Sequence, residues 1–431
     1  MKTSRRNFLH TAGAAATSLL VATTSADAQQ TGAGSKSVPQ PIARLKSRKA
    51  EALPISSAER QQRIERARQL MGQNNIDAVL MIGGTSLVYF SNIRWWLSER
   101  LFAMVLPQKG VPFYVCPAFE EDRAREQIAG GPGGPNAELR LWQEDESPYQ
   151  RVAEGLRDRG LTSGRLGIEE TVRQVYTEGV AKAAPGMQIV SATPVTAGCR
   201  MIKSPHELQL MKLANQVTLA AYEAAYLSTR EGMTQHDFAD LVSAAHRQQG
   251  FQGSAGVQVG ENSALPHGSA KPQVIREGTI LLMDGGCAIE GYESDISRTV
   301  VLGKPTDKMK KNFEIVHRAQ QAALAAAKPG VQCQAVDAAA RKVITDAGYG
   351  PDYKFFGHRL GHGIGMDGHE WPYLVRGNTQ LMEPNMCFSD EPGIYIRGEF
   401  GVRLEDDMYI TERGAELFTP QSPSLENPFG K

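Results

Sequence analysis

Two aspartates in the second half of the chain have the spacing of paired metal ligands. Asp284 and Asp295 lie on two apolar, strand-like runs within residues 278–300, on either side of a turn at residues 290–292. This pattern predicts a β-hairpin that would bring both carboxylates to one place. Carboxylates held close together repel each other and take up protons unless a cation lies between them. Two aspartates alone are more often surface residues, so the interpretation depends on the rest of the chain.

Histidine and glutamate residues that could complete a metal site follow in Gly-rich segments. Glu391 and Glu405 flank a predicted turn at residues 397–399, which would form a second acidic hairpin. The histidines near these segments are His267, His358, His362 and His369. Two Asp, one His and two Glu make an oxygen-rich set that suits Mn²⁺, Co²⁺, Zn²⁺ or Fe²⁺ rather than a soft metal or haem. Bridging carboxylates hold two such cations ~3.5–4 Å apart, and the cations lower the pKa of a shared water.

The elements before this region alternate between strand and helix patterns. A capping-box spacing at Ser56 and Glu59 begins a helix, whose apolar face has Ile64, Ala67, Leu70 and Met71. The predicted strands cover residues 78–82, 87–90, 102–106, 112–116 and 139–142. Predicted helices cover residues 120–128 and 148–159. This alternation indicates an α/β domain over residues 55–200.

Two features of this first domain invite a functional interpretation. Residues 130–135 are rich in Gly and Pro but lack the Lys-Ser/Thr ending of a phosphate loop, which favours a surface loop. Trp95 and Trp96 lie in a predicted loop and could serve the core, an interface or a lid over a site. Large aromatic residues are mostly buried, so we favour the core or an interface.

Helix signals are strong in the second domain, residues 201–431. Ser204, Pro205 and Glu207 predict a capped helix that runs to about residue 227. A second helix is predicted from Thr234 to residue 250. Further helices are predicted over residues 307–327 and 335–347.

The N-terminus has the pattern of an export signal. Residues 4–9, Ser-Arg-Arg-Asn-Phe-Leu, precede a mildly apolar run and an Ala-Asp-Ala site that ends at Ala28. This pattern resembles a twin-arginine signal, which predicts cleavage after Ala28 and a periplasmic protein. The apolar run is too short for a stable membrane span. Residues 29–54 have little periodicity and are interpreted as a linker or an extended arm.

Composition excludes several classes of protein. The 431 residues are 41% hydrophobic, which is enough for two domains. Lys and Arg total 47, as do Asp and Glu, so no net charge favours nucleic acid or acidic membranes. The five cysteines contain no Cys-x-x-Cys pair, which indicates neither a disulfide framework nor a thiolate metal site.

The order of short motifs resembles a known family. D-x-G, S-D-x-x-R-T, G-H-G-x-G, E-P-G-x-Y and G-x-R-x-E-D follow one another as in the pita-bread (M24) metallopeptidases, which include aminopeptidase P, prolidase and methionine aminopeptidase. The similarity is strong over residues 204–416, while residues 55–200 resemble the family only in layout. The resemblance implies a mixed α/β chain with an N-terminal creatinase-like domain and a C-terminal catalytic pita-bread domain.

The same resemblance implies a role for each site residue. The five metal ligands would be Asp284, Asp295, His362, Glu391 and Glu405. They would hold two divalent cations, with manganese the first expectation and cobalt, zinc or iron as alternatives. Asp295 and Glu405 would contact both ions. The remaining catalytic residues would be His267, His358, His369 and Arg403, with Glu391 also taking a proton from the bridging water.

The implied activity is release of the residue before proline by metal-hydroxide attack, as in Xaa-Pro aminopeptidases and dipeptidases. A homodimer is the expected assembly. Asp390 departs from prolyl-specific relatives and leaves the substrate preference open, although strand alternation would point it away from the metals. One alternative is a same-fold enzyme acting on dimethylsulfoniopropionate, creatine or an ectoine derivative. Another is a non-catalytic binding protein, against which the intact ligand set argues.

Overall fold

The structure is a computed structural model that describes residues 38–430. The predicted twin-arginine signal and its cleavage site after Ala28 lie outside the described residues, as does the first part of the predicted linker. Among the described helices, none combines the length and the apolar character needed to cross a bilayer.

The described part of the predicted linker is an arm that contacts the second domain. Its short helix α1 (Gln40–Ala43) buries Ile42 against Ala221, Ala224 and Ala245. Farther along, Arg48 donates a hydrogen bond to Gln216 at 3.0 Å. These contacts attach the arm to the helices that follow the first domain.

The first domain is built on a six-stranded mixed sheet in the order β4-β3-β2-β1-β5-β6. The β1-β2 and β2-β3 pairs are antiparallel, whereas β1-β5, β3-β4 and β5-β6 are parallel. The strands are β1 (Ala78–Ile82), β2 (Ala103–Pro107), β3 (Phe113–Pro117), β4 (Glu138–Trp142), β5 (Gly164–Ile168) and β6 (Met187–Ser191). The helices are α2 (Ser57–Asn74), α3 (Thr85–Ser91), α4 (Glu121–Ile128), α5 (Pro148–Arg157), α6 (Gln174–Ala183) and α7 (Thr193–Arg200).

The α2 helix has the predicted capping box between Ser56 and Glu59 and buries all four predicted apolar residues. One prediction is wrong: residues 87–90 form part of helix α3 rather than a strand. The helix buries residues on several sides, so its apolar run has no clear helical period and resembles a buried strand. It ends at Asn92, which adopts the left-handed conformation of a helix cap.

The second domain places four helices around three small sheets. Its helices are α8 (Pro205–Ser228), α9 (Gln235–Gln248), α10 (Asp307–Ala326) and α11 (Cys333–Ile344). Its strands are β7 (Gly253–Val259), β8 (Ile280–Ile289), β9 (Tyr292–Glu293), β10 (Ile296–Val301), β11 (Gly361–Gly363), β12 (Glu370–Leu374), β13 (Cys387–Asp390), β14 (Gly393–Ile396), β15 (Phe400–Arg403), β16 (Asp406–Ile410) and β17 (Ala415–Leu417). The sheets have the orders β10-β8-β7 with β9 on β8, β12-β11-β13-β16-β17, and β14-β15. All four predicted helices are present, and α8 and α9 begin with capping boxes.

Both predicted hairpins are confirmed. Glu290 and Gly291 join β8 to β9 with φ angles of 51° and 89°, as a tight two-residue turn between antiparallel strands requires. The second hairpin pairs β14 with β15 around residues 397–399. The backbone N–H of Glu405 donates to the carbonyl oxygen of Ser297 at 3.1 Å, which joins the two hairpin regions directly.

Candidate metal centre

The two hairpin regions bring four carboxylates together. Asp284 lies on β8 opposite Ser297 of β10, and Asp295 comes immediately before β10. Glu391 follows β13 and Glu405 precedes β16, and these two strands pair with each other. Each hairpin therefore contributes one carboxylate from each of its two chain segments, as the sequence pattern predicts.

His362 reaches the carboxylates from strand β11, which lies between β12 and β13 in its sheet. A Cβ atom on Gly361 would lie 2.0 Å from the carbonyl oxygen of Ser389, so only glycine allows β11 to approach β13 this closely. The His362 side chain is buried, and its Nδ1 lies 3.2 Å from the carbonyl oxygen of Gly363. A hydrogen bond from Nδ1 leaves Nε2 as the free acceptor. This Nε2 lies 3.4 Å from Glu391 Oε1.

Among the described residues, three overlapping groups of side chains have metal-ligand spacing, with ligand atoms within 4.8 Å of one another. They are Asp284, Asp295 and Glu405; His362, Glu391 and Glu405; and Asp295, His362 and His369. Glu405 belongs to the first two groups, which is the arrangement of a carboxylate that bridges two neighbouring cations. The third group includes His369, which the sequence analysis treated as a catalytic residue and not as a metal ligand.

The electrostatics of these carboxylates suit bound cations. Burial and the nearby Asp284 raise the pKa of Asp295 well above its ordinary value, and burial together with Asp295 does the same for Glu405. Burial raises the pKa of Glu391 to about 8, and Asp284 contributes in the same direction. Carboxylates that resist ionising side by side become stable anions when divalent cations neutralise them. The donor set, four carboxylates and one imidazole, therefore fits two hard or borderline divalent cations.

Arg403 holds Asp284 through an ion pair. Its Nη2 lies 2.6 Å from Asp284 Oδ2, and its Nη1 donates to the Tyr395 hydroxyl at 3.1 Å. Burial acts to raise the pKa of Asp284, but the Arg403 guanidinium and the hydrogen bond from Ser297, together with smaller contributions, outweigh burial and lower the pKa overall. The Tyr395 hydroxyl lies 2.7 Å from His358 Nε2, so the chain of contacts extends to a third predicted site residue. Burial and Arg403 lower the pKa of His358 to about 3, so this imidazole is neutral at physiological pH.

Ser297 contacts two of the proposed metal ligands and was not predicted as a site residue. Its Oγ lies 2.8 Å from Asp284 Oδ1 and 2.7 Å from Glu405 Oε2, and it accepts a hydrogen bond from Arg403 Nε at 2.8 Å. A signal was present, since Ser297 lies two positions after Asp295 in the second run of the predicted hairpin. Alternation along the strand therefore places it on the same face as Asp295.

All nine predicted site residues line one cavity of about 350 Å³. They are His267, Asp284, Asp295, His358, His362, His369, Glu391, Arg403 and Glu405. Pro266 and Arg359 complete the lining, and Arg359 had been given no role. Asp390 does not line the cavity; it is buried on β13 opposite Asp406, which agrees with the predicted alternation. The catalytic and metal-binding roles of the nine residues remain predictions.

The two tryptophans have different environments. Trp95 is 7% exposed and stacks on Phe102 with ring centroids 4.0 Å apart, so it belongs to the core. Trp96 is 47% exposed. Both line a cavity of about 570 Å³ together with Met366 and Glu293, where the first domain meets the second.

Comparison with known proteins identifies the family. Residues 209–412 match the model of metallopeptidase family M24, and residues 63–202 match the creatinase/prolidase N-terminal domain. The Xaa-Pro dipeptidase of Lactobacillus delbrueckii subsp. lactis is 32% identical over 369 residues, which cover 84% of this chain and 98% of that protein.

Solved structures of similar proteins support the same family assignment. Dipeptidase PepE from Mycobacterium ulcerans is 32% identical with a TM-score of 0.80, over 86% of this chain and 99% of that one. The Xaa-Pro dipeptidase from Bacillus anthracis is 31% identical with a TM-score of 0.72, over 83% and 97% of the two chains. The chain therefore belongs to metallopeptidase family M24, with a creatinase-like N-terminal domain followed by a pita-bread domain.

Proposed function

We propose that this protein is a dinuclear metallopeptidase that hydrolyses Xaa-Pro dipeptides. The observation that carries the proposal is the convergence of four carboxylates and His362 on one cavity, in two groups that share Glu405. Similar proteins with the name Xaa-Pro dipeptidase cover most of the chain, which favours a dipeptidase over an aminopeptidase acting on longer peptides. A bond to proline resists general peptidases because its nitrogen has no N–H and its ring fixes the backbone.

The cofactor in this proposal is a pair of divalent cations, with manganese preferred over cobalt, zinc or iron. Five side chains would hold them: Asp284, Asp295, His362, Glu391 and Glu405. When bound, two such cations supply Lewis acidity that polarises the scissile carbonyl and lowers the pKa of water at the site.

The protein's own residues would handle the proton and the substrate. Glu391 would accept a proton from the attacking water and deliver it to the proline nitrogen as the C–N bond breaks. His267 and His369 line the same cavity and would donate hydrogen bonds to the oxygen that gains negative charge. Burial lowers the pKa of His369, so its ring is neutral at pH 7 and keeps one N–H to donate. His358 and Arg403 would orient the site through Tyr395.

The test uses the chain from Gln29, freed of metal and reloaded with Mn²⁺, Co²⁺ or Zn²⁺ in turn. We expect metal-dependent release of the first residue from an Xaa-Pro dipeptide, with slower cleavage of an Xaa-Pro-Xaa tripeptide. Glu391→Gln should reduce kcat at least about 100-fold, since it removes the proton acceptor. The control is His236→Gln, which changes an exposed residue of α9 and should leave the rate unchanged. Tight binding of two metals without cleavage of either peptide would overturn the substrate assignment.

A second candidate function is hydrolysis or lysis of a small zwitterion such as an ectoine derivative. One observation favours it: the 570 Å³ cavity is lined by Trp95, Trp96 and Arg94 on one side and by Glu293 on the other. Aromatic faces and opposite charges are what a zwitterionic ligand needs. Assay of dimethylsulfoniopropionate, creatine and ectoine derivatives with the same metal-loaded enzyme separates the two candidates.

We also propose where the protein is located and how it assembles. The twin-arginine pattern supports export to the periplasm with cleavage after Ala28, which N-terminal sequencing of the exported protein would test. We also propose a homodimer, as the resemblance to the family implies. Light scattering of the purified protein would give the mass of the assembly.

A further inference from the structure

A second cavity, of about 490 Å³, shares Asp295 with the candidate metal centre. Its walls come from β7 and β8, with Gln252 and Ser254 among its polar residues. Two carboxylates line it, those of Asp295 and Glu293, and none of the described residues that line it is basic. If bound cations neutralise Asp295, the Glu293 carboxylate is the one remaining charge among the described residues that line this cavity.

Glu293 lies at the junction of three parts of the site. It ends β9, two residues before Asp295, and both residues line the 490 Å³ cavity. A Cβ atom on Gly368 would lie 2.9 Å from Glu293 Oε2, so the carboxylate lies against the residue that precedes His369. Glu293 also lines the 570 Å³ cavity beside Trp96.

The Glu293 carboxylate is half-buried and lacks a partner. Among the residues that the structure describes, none forms a hydrogen bond or an ion pair with its side chain. The acids that act on it, Asp367 and Glu370, already have basic partners, and Arg94, which lines the 570 Å³ cavity with it, forms no ion pair with it. Asp367 lies 2.9 Å from Arg200, and Glu370 lies 2.6 Å from Lys203. A partly desolvated carboxylate in such surroundings gains stability when a cation contacts it.

We infer that Glu293 makes the site prefer substrates with a cationic side chain, Lys or Arg, in the residue before the scissile bond. The inference rests on the proposed function, because in an Xaa-Pro dipeptide only Xaa has a variable side chain. Asp295 lines both the metal cavity and the 490 Å³ cavity, so a substrate whose carbonyl lies at the metal centre would have its Xaa side chain within reach of the second cavity. The alkyl stem would pack on Ala288 and Cys287, and the charged end would meet Glu293.

The test compares Lys-Pro, Met-Pro and Glu-Pro with the manganese-loaded enzyme. Met matches Lys in length without its charge. In the unaltered protein we expect kcat/KM to fall in the order Lys-Pro, Met-Pro, Glu-Pro. Glu293→Gln keeps the shape of the side chain and should reduce kcat/KM for Lys-Pro about tenfold while leaving Met-Pro within about twofold. Metal content is measured in each variant, so that damage to the neighbouring Asp295 is detected.

Glu290→Gln is the matched control, because Glu290 is an exposed acid in the turn of the same hairpin. It should change none of the three rates. Equal loss for all three dipeptides in Glu293→Gln would overturn the inference, since the carboxylate would then act on the substrate ammonium or on the metal centre. Cleavage by the unaltered enzyme without any charge preference would overturn the inference alone. Absence of Xaa-Pro cleavage with both metals bound would overturn the proposed function and the inference with it.

Discussion

Ser297 connects the ligands of the two hairpin regions. Its single hydroxyl hydrogen can serve only one acceptor at a time, yet Asp284 Oδ1 and Glu405 Oε2 both lie within 2.8 Å of the oxygen. The hydroxyl also accepts the Arg403 Nε–H, which fixes its position. Ser297 is therefore a positioning residue that acts through two of the proposed metal ligands.

Replacing Ser297 should loosen the metal centre. We expect Ser297→Ala to weaken metal binding about 10–100-fold, because contacts that orient metal ligands have effects of this size. Ser297→Thr keeps the hydroxyl and should retain most of the affinity. Titration of the metal-free variants with Mn²⁺ measures the change. If Ser297→Ala bound metal as tightly as the unaltered protein, the positioning role would be excluded.

At the residue scale, the sequence indicates the donor types but not their contacts. Asp, Glu and His could be selected because few other residues bind divalent cations. Ser297, Arg359 and Glu293 were missed because their placement depends on strand register and loop path, which short motifs do not specify. The orientation of Asp390 could be predicted from the sequence, because alternation along β13 points its side chain away from the cavity.

At the element scale, the first domain fixes the loop that bears His369. The Thr85 hydroxyl at the start of α3 donates to Asp367, and Arg200 at the end of α7 lies 2.9 Å from the same carboxylate. Arg200 also lies 3.3 Å from Glu370, the first residue of β12. His369 lies between these two anchored acids. The first domain thus contributes to the site although none of its residues lines the metal cavity.

Thr85→Val removes the hydroxyl without changing the shape of the side chain. We expect KM for an Xaa-Pro dipeptide to rise about two- to tenfold, the effect of one hydrogen bond, with little change in stability. Thr85→Ser retains the donor and serves as the control. Steady-state kinetics and thermal unfolding of the three proteins provide the measurement. An unchanged KM in Thr85→Val would show that the ion pairs of Arg200 and Lys203 hold the loop without the Thr85 hydroxyl.

Helix α3 is also the element whose type was predicted wrongly. The prediction of a strand at residues 87–90 was wrong because helix α3 is buried on several sides and lacks an amphipathic period. The capped helices α2, α8 and α9 were predicted correctly because their first turns have local signals. The contact between Thr85 and Asp367 has no such signal, since it joins residues far apart in the chain.

At the scale of the whole molecule, the proposed metal centre would couple metal binding to folding. The proposed ligands come from β8, β11, the end of β13 and the segments before β10 and β16, so two cations would join five of the eleven strands described in the second domain. Without cations, the same carboxylates are buried close together and repel one another. A ligand that binds only the folded state stabilises it by about 2.7 kcal/mol at 100 times its Kd.

Removal of the metals should therefore lower the melting temperature. For two sites at that saturation we expect chelation to reduce Tm by about 5–10 °C, and added Mn²⁺ to restore it. Asp284→Asn weakens one ligand group, so its cations should bind less tightly and stabilise the folded state less. We therefore expect a smaller fall in Tm when this variant is chelated. Differential scanning calorimetry with and without chelator measures both. An identical Tm in the two conditions, with two metals bound before chelation, would mean that the five side chains do not bind the cations as a group that spans the domain.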